Sequence, residues 1–108
     1  MSSPSAKNAA LQRWSSPATA RRRAAALFPG ATLRPSTRRA KKYMLLPPEG
    51  PKTTTTGWVH FGEMGYTDFT LHKDPERRRR YLARSALIRG DWRKNKYSPN
   101  NLARRILW

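Results

Sequence analysis

The chain has 108 residues, enough for one small domain, and its 23 Lys and Arg against six Asp and Glu give a formal charge of +17 that makes a polyanion the natural partner. Hydrophobic residues make up 37%, so the core is thin and partner surface is expected to complete it. The absence of cysteine excludes a disulfide framework, a thiolate metal site and a cysteine nucleophile, no apolar run approaches a membrane span, and the N-terminal stretch lacks the apolar segment of a secretory signal.

The acids all lie between positions 49 and 91, whereas residues 1–48 carry ten Lys and Arg with no acid, and residues 92–108 carry five with none. Such blocks behave as solvated arms until they meet a partner. In chain order, "MSSPSAKNAALQRW" offers Ser5 as a cap for one or two helical turns ending near Trp14. "SSPATARRRAAALFPG" is a better punctuated helix: Ser16 caps it, Pro17 suits its first position, and Pro29-Gly30 stops it after Phe28. Arg21, Arg22 and Arg23 fan across it. The Ala-, Ser- and Arg-rich composition of this end also fits an organellar transit peptide. "ATLRPSTRRAKK", with Arg38 and Arg39, has no apolar period and reads as extended. Residues 1–40 are therefore expected to form a basic arm, extended or partly helical, without a core of its own.

The composition turns to strand formers at "KYMLL" (42–46) and again at "GWVHF" (57–61), which predicts a hairpin with an overlong loop and turn signals at Pro48-Glu49-Gly50-Pro51. "GEMGYTDFTLH" follows as a glycine-punctuated connection, with Tyr66 and Phe69 as anchors under the hairpin. Asp74 as cap, Pro75 at the first position, Glu76 in the first turn and Gly90 after the end predict a helix over 75–89. Tyr81, Leu82, Ser85, Ala86 and Ile88 are assigned to its inner side, and Arg77, Arg79, Arg80 and Arg84 to its outer side. Ser98-Pro99 starts a short C-terminal helix whose Leu102, Ile106, Leu107 and Trp108 close a small core. The fold class is α+β: a small β-hairpin packed on a basic helix plus a short C-terminal helix, in a module of residues 41–108.

His60, Glu63, Asp68, His72 and Asp74 are the only constellation with catalytic or metal-binding chemistry. A small metal-dependent nuclease would use a histidine base and oxygen ligands of this kind. Their spacing matches no metal motif, so no catalytic residue, metal or cofactor is assigned and the chain is read as a non-enzyme. Polyanion contact is assigned to Arg21, Arg22, Arg23, Arg38, Arg39, Lys41, Lys42, Arg77, Arg79, Arg80, Arg84, Arg104 and Arg105, and stacking or docking to Trp14, Trp92, Tyr97 and Trp108. Ser-Pro pairs at Ser3, Ser16 and Ser98 are candidate phosphorylation sites that would weaken polyanion binding.

The segments "KKYM", "PEG", "VHFGEMGYTDFTLHKDPERRRRYLAR" and "SPNNLARRILW" resemble a family of small basic proteins encoded by nucleocytoplasmic large DNA viruses of algae and protists. The resemblance implies a viral source or an algal relative and one compact module from residue 41, and it brings no activity with it. This chain departs from the family pattern in having Pro51 to Trp58 between the Pro-Glu-Gly turn and Val-His-Phe. The resulting expectation is a minor structural or assembly protein of a giant virus, located in the virion or viral factory of the infected host cell. It would bind nucleic acid or acidic capsid proteins within a larger assembly. An organellar ribosomal RNA-binding protein is the alternative.

Overall fold

Thr32 and Leu33, Tyr43 to Leu46, and Val59 to Phe61 are residues that fit a pleated, half-buried surface. In the computed structural model, which describes residues 4–48, 57–90 and 92–108, they form an antiparallel sheet in the order β1 (Thr32–Pro35), β2 (Lys41–Leu46) and β3 (Val59–Glu63). The fold is α+β. Tyr43 stands opposite Phe61 and Leu45 opposite Val59, and these cross-strand pairs form the buried centre of the sheet. The turn expected at Glu49-Gly50-Pro51 lies outside the described residues.

The predicted hairpin is thus two strands of a three-stranded sheet, and the third comes from the segment expected to be an extended arm. Leu33 pairs with Leu45 and Pro35 with Tyr43, Pro35 being tolerated because β1 is an edge strand. The turn into β2 is closed by Ser36, whose Oγ accepts from the Arg38 amide at 2.9 Å.

Residues 4–40 also supply part of the core, contrary to the expectation of an arm without one. Two helices, α1 (Pro4–Leu11) and α2 (Pro17–Leu27), place Leu11, Ala20 and Ala24 in the interior together with Phe28. Ala20, Ala24 and Phe28 are four residues apart, hence on one helical face, and the short alanine side chains let α2 approach closely. What they approach is the end of the chain, where α5 (Pro99–Leu102, numbered after two helices described below) runs on into a π-helical turn, Ala103–Leu107. Leu102, Ala103, Ile106 and Leu107 are buried there, so the C-terminal patch closes the core as expected. Lys7 of α1 fastens the other side, donating to the carbonyls of Arg38 at 2.9 Å and Lys41 at 2.7 Å.

A buried polar chain stitches this N-terminal segment to the sheet. Asp68 caps α3 (Phe69–His72) by accepting the Thr70 amide at 3.0 Å, and also accepts the Thr70 hydroxyl. Because that hydroxyl donates to Asp68, Thr70 Oγ1 is the acceptor towards Ser15 at 3.1 Å, and Ser15 Oγ in turn accepts from Tyr43 at 2.8 Å. The Ser16 amide fills the remaining lone pair of Thr70 at 2.9 Å, and the Asp68 amide donates to the Trp14 carbonyl at 3.0 Å. The other Asp68 oxygen takes Lys42 Nζ at 3.0 Å. Every member is satisfied, the condition under which a buried polar network fixes one arrangement rather than weakening it.

α4 (Pro75–Ser85) begins where expected, with Asp74 Oδ1 accepting the Glu76 amide at 3.0 Å and the Arg77 amide at 3.4 Å. Asp74→Asn keeps the capping oxygen and is expected to leave thermal stability nearly unchanged, while Asp74→Ala is expected to cost about 1 kcal/mol. Equal melting temperatures for the two variants would contradict the capping role.

The helix ends at Ser85, not at Arg89, and carbonyls in and just after its last turn accept from side chains further along the chain. Arg104 Nη1 takes the Leu82 carbonyl at 2.7 Å, Asn100 Nδ2 that of Ser85 at 3.1 Å, Arg93 Nη2 that of Ala86 at 2.8 Å, and Trp92 Nε1 that of Ile88 at 2.8 Å. Cations at the negative end of a helix also satisfy its macrodipole.

Candidate functional site

With six acids against 23 bases, the first question is which cations the protein already uses. Among the described residues, Glu63 pairs with Lys41, Asp68 with Lys42, and Glu76 with Arg79 and, at 3.9 Å, Arg80, while Asp74 caps α4. The Arg79 guanidinium, by hydrogen bond and by charge, holds the Glu76 carboxyl below its ordinary range. Arg21, Arg22, Arg38, Arg39, Arg77, Arg84 and Arg105 stand exposed and form no ion pair with a described acid.

Two assigned cations face inward instead. Lys42 is 2% exposed; its ammonium donates to Asp68 and, at 2.6 Å, to the Tyr66 carbonyl, so it belongs to the interior network and not to the exposed surface. Burial pushes its pKa down, and Asp68 opposes the shift. Arg104 is turned towards the end of α4 and also donates to Ser85 Oγ. Arg23 is half-buried, with its pKa lowered first by burial and then by Arg78.

The arginines of α4 divide in a way that differs from the expected inner and outer sides. Arg77, Tyr81 and Arg84 are four and three residues apart and therefore share a stripe. With Ile88 just past the helix end, they line one side of a groove of about 640 Å³. Phe61 and Leu107, both buried, and Trp108 also line it. Tyr81 stacks on Trp108 with ring centres 4.2 Å apart and planes 9° from parallel. Burial pushes the Tyr81 hydroxyl up, and Arg104 and Arg84 oppose that shift. Arg78, which was assigned no role, donates to the Trp108 carbonyl at 2.6 Å and lies over Phe69, locking the end of the chain against α3 and α4.

The aromatic residues assigned to stacking are mostly occupied by the protein itself. Trp92 is buried, with the Arg93 and Arg104 guanidiniums 4.2 and 4.8 Å from its ring centre. Tyr97 packs against Phe28 at 5.8 Å, and Trp108 against Tyr81 and His72. Trp14 is half-buried, and its carbonyl receives the Asp68 amide. Tyr66, expected as an anchor under the hairpin, is 71% exposed at the groove. Sequence reasoning missed it because the signal is tertiary: Lys42 reaches across to hold its carbonyl and leaves the ring outside.

The histidine and carboxylate constellation does not converge. His60 Nδ1 meets Ser36 Oγ at 2.6 Å, and its pKa is lowered by burial and by Arg38, Lys41 and Lys7. His72 Nδ1 accepts the Asp74 amide at 2.9 Å, which leaves the ring hydrogen on the buried Nε2, and its pKa is lowered by burial and by Arg77. Among the described residues, no group of three or more His, Asp or Glu gathers closely enough to hold a metal ion, and no helix is long and apolar enough to cross a membrane.

No curated protein and no solved structure matches the chain. A family match runs from residue 31 to residue 85, starting before Lys41, so that it takes in β1, both further strands, the Lys42 and Asp68 pair, Tyr66 and the whole of α4. By that match the chain belongs to DUF5754, a family of unknown function.

Proposed function

We propose that this chain is a non-enzymatic nucleic-acid-binding protein, a minor structural component of the virion or of an assembly intermediate in the viral factory of an infected cell. The observation that carries the reading is the internal use of the acids. Glu63, Asp68, Asp74 and Glu76 are each held by a neighbouring residue, and the exposed Arg21 and Arg22 of α2, Arg38 and Arg39 of the β1–β2 turn, and Arg77 and Arg84 of α4 have no described carboxylate partner. Guanidinium groups arranged in this way suit phosphate, which they bind with geometric specificity and by releasing condensed counterions. The sequence resemblance to small basic proteins of large DNA viruses supports the viral setting.

The test is the salt dependence of binding to a DNA duplex, measured on the wild type and on single glutamine variants. Arg77→Gln and Arg84→Gln, which release no acid, are each expected to flatten the log-log slope by about one unit where the residue meets phosphate. Arg79→Gln frees Glu76 and is expected to flatten it less. Slopes unchanged in all three variants would redirect the reading to an acidic protein surface, such as that of a capsid protein.

A further inference from the structure

Tyr66 is 71% exposed, and its backbone carbonyl is held by a buried side chain. The Lys42 ammonium, itself 2% exposed and tied to Asp68, donates to the Tyr66 carbonyl at 2.6 Å. Gly65, at a φ of 94°, sets the turn that carries the ring outward. Tyr66 lines the same groove as the Arg77, Tyr81 and Arg84 stripe of α4. Arg77 and Arg84 are two helical turns apart, roughly 10 Å along the axis. The groove therefore combines an uncovered ring on an anchored backbone with two cations at a spacing that a nucleic-acid backbone could follow.

From this we propose that the groove is a single-strand site, in which an unpaired base of DNA or RNA stacks on Tyr66 while flanking phosphates lie against Arg77 and Arg84. The inference rests on the nucleic-acid reading above and narrows it to strands with exposed bases. A duplex keeps its bases stacked inside and offers the groove only phosphate. An acidic peptide would satisfy the arginines but gains little from a bare phenol ring held clear of the core. Base stacking on an aromatic side chain tolerates any sequence, so the site is expected to discriminate strand from duplex more than base from base.

The experiment measures the affinity of the full chain for fluorescein-labelled oligothymidylate, for a duplex of equal length and for poly-glutamate, in the wild type and in Tyr66→Ala. Because the ring lies outside the core, Tyr66→Ala should retain the wild-type circular dichroism and melting temperature. It is expected to weaken oligothymidylate binding roughly 5- to 150-fold, the range of one lost base–aromatic stack, and to leave duplex binding unchanged. Undiminished strand binding, or an equal loss on strand and duplex, overturns the single-strand site while leaving the wider nucleic-acid reading intact. A loss seen only with poly-glutamate assigns the groove to an acidic peptide instead. If the wild type binds neither nucleic acid in a salt-dependent way, both readings fall.

Discussion

Asp68→Ala is expected to be among the most damaging single substitutions in the protein, costing about 3–5 kcal/mol, because it leaves the Lys42 ammonium buried without a counter-charge. It also strips Thr70 of its capping acceptor and opens the hydrogen-bond chain through Ser15 to Tyr43. The loss is a large share of the stability of a domain this size, so the variant should unfold at a much lower urea concentration than the wild type. Asp68→Asn combined with Lys42→Met keeps the cap and removes both charges, and it should be clearly more stable than Asp68→Asn alone. Urea denaturation of the series measures this order. An Asp68→Asn protein as stable as the wild type would show that the ion pair contributes nothing to the fold.

Gly62→Ala is the second change with a large expected effect. Gly62 adopts a φ of 80° within β3, and a Cβ built there meets Leu107 Cδ1 at 2.8 Å and Lys42 Cβ at 3.1 Å. The left-handed backbone and the overpacking against the π-helical turn together should cost roughly 2–4 kcal/mol. Gly65→Ala separates the two contributions. Its φ is 94° with nothing within 4 Å of the new methyl, so only the backbone part, about 1–2 kcal/mol, should appear. Equal losses at both positions would mean that the close approach of β3 to the chain end is not tight.

Those two sites mark the boundary between what the sequence reveals and what it hides. Ser16-Pro17, Asp74-Pro75 and Ser98-Pro99 were readable as helix starts because a capping side chain and a proline at the first position act within one turn of the chain. The strands around Tyr43 and Phe61 were readable from their side chains. Lys42 was not, because its burial depends on Asp68, 26 positions along the chain, and a lysine among cations reads as surface. The N-terminal segment was misread for a related reason. Ala20 and Ala24 give almost no apolar signal, yet small residues are what allows α2 to close on the C-terminal turn.

The contacts at the end of α4 were equally non-local, with Arg104, Asn100 and Arg93 reaching carbonyls in and just after its last turn. The groove stripe, by contrast, was within reach. Arg77, Tyr81 and Arg84 share a helical face by spacing alone, and dividing the helix into apolar and basic sides concealed it.

On the proposed reading, the arginines without a described carboxylate partner bind nucleic acid. The most direct measurement is the affinity of the wild-type chain for single-stranded and duplex DNA across a range of monovalent salt. Expected is a linear fall of log K with log salt, with a slope of several units and tighter binding of the single strand near physiological salt. A slope near zero on both substrates, with binding to poly-glutamate retained, would contradict it.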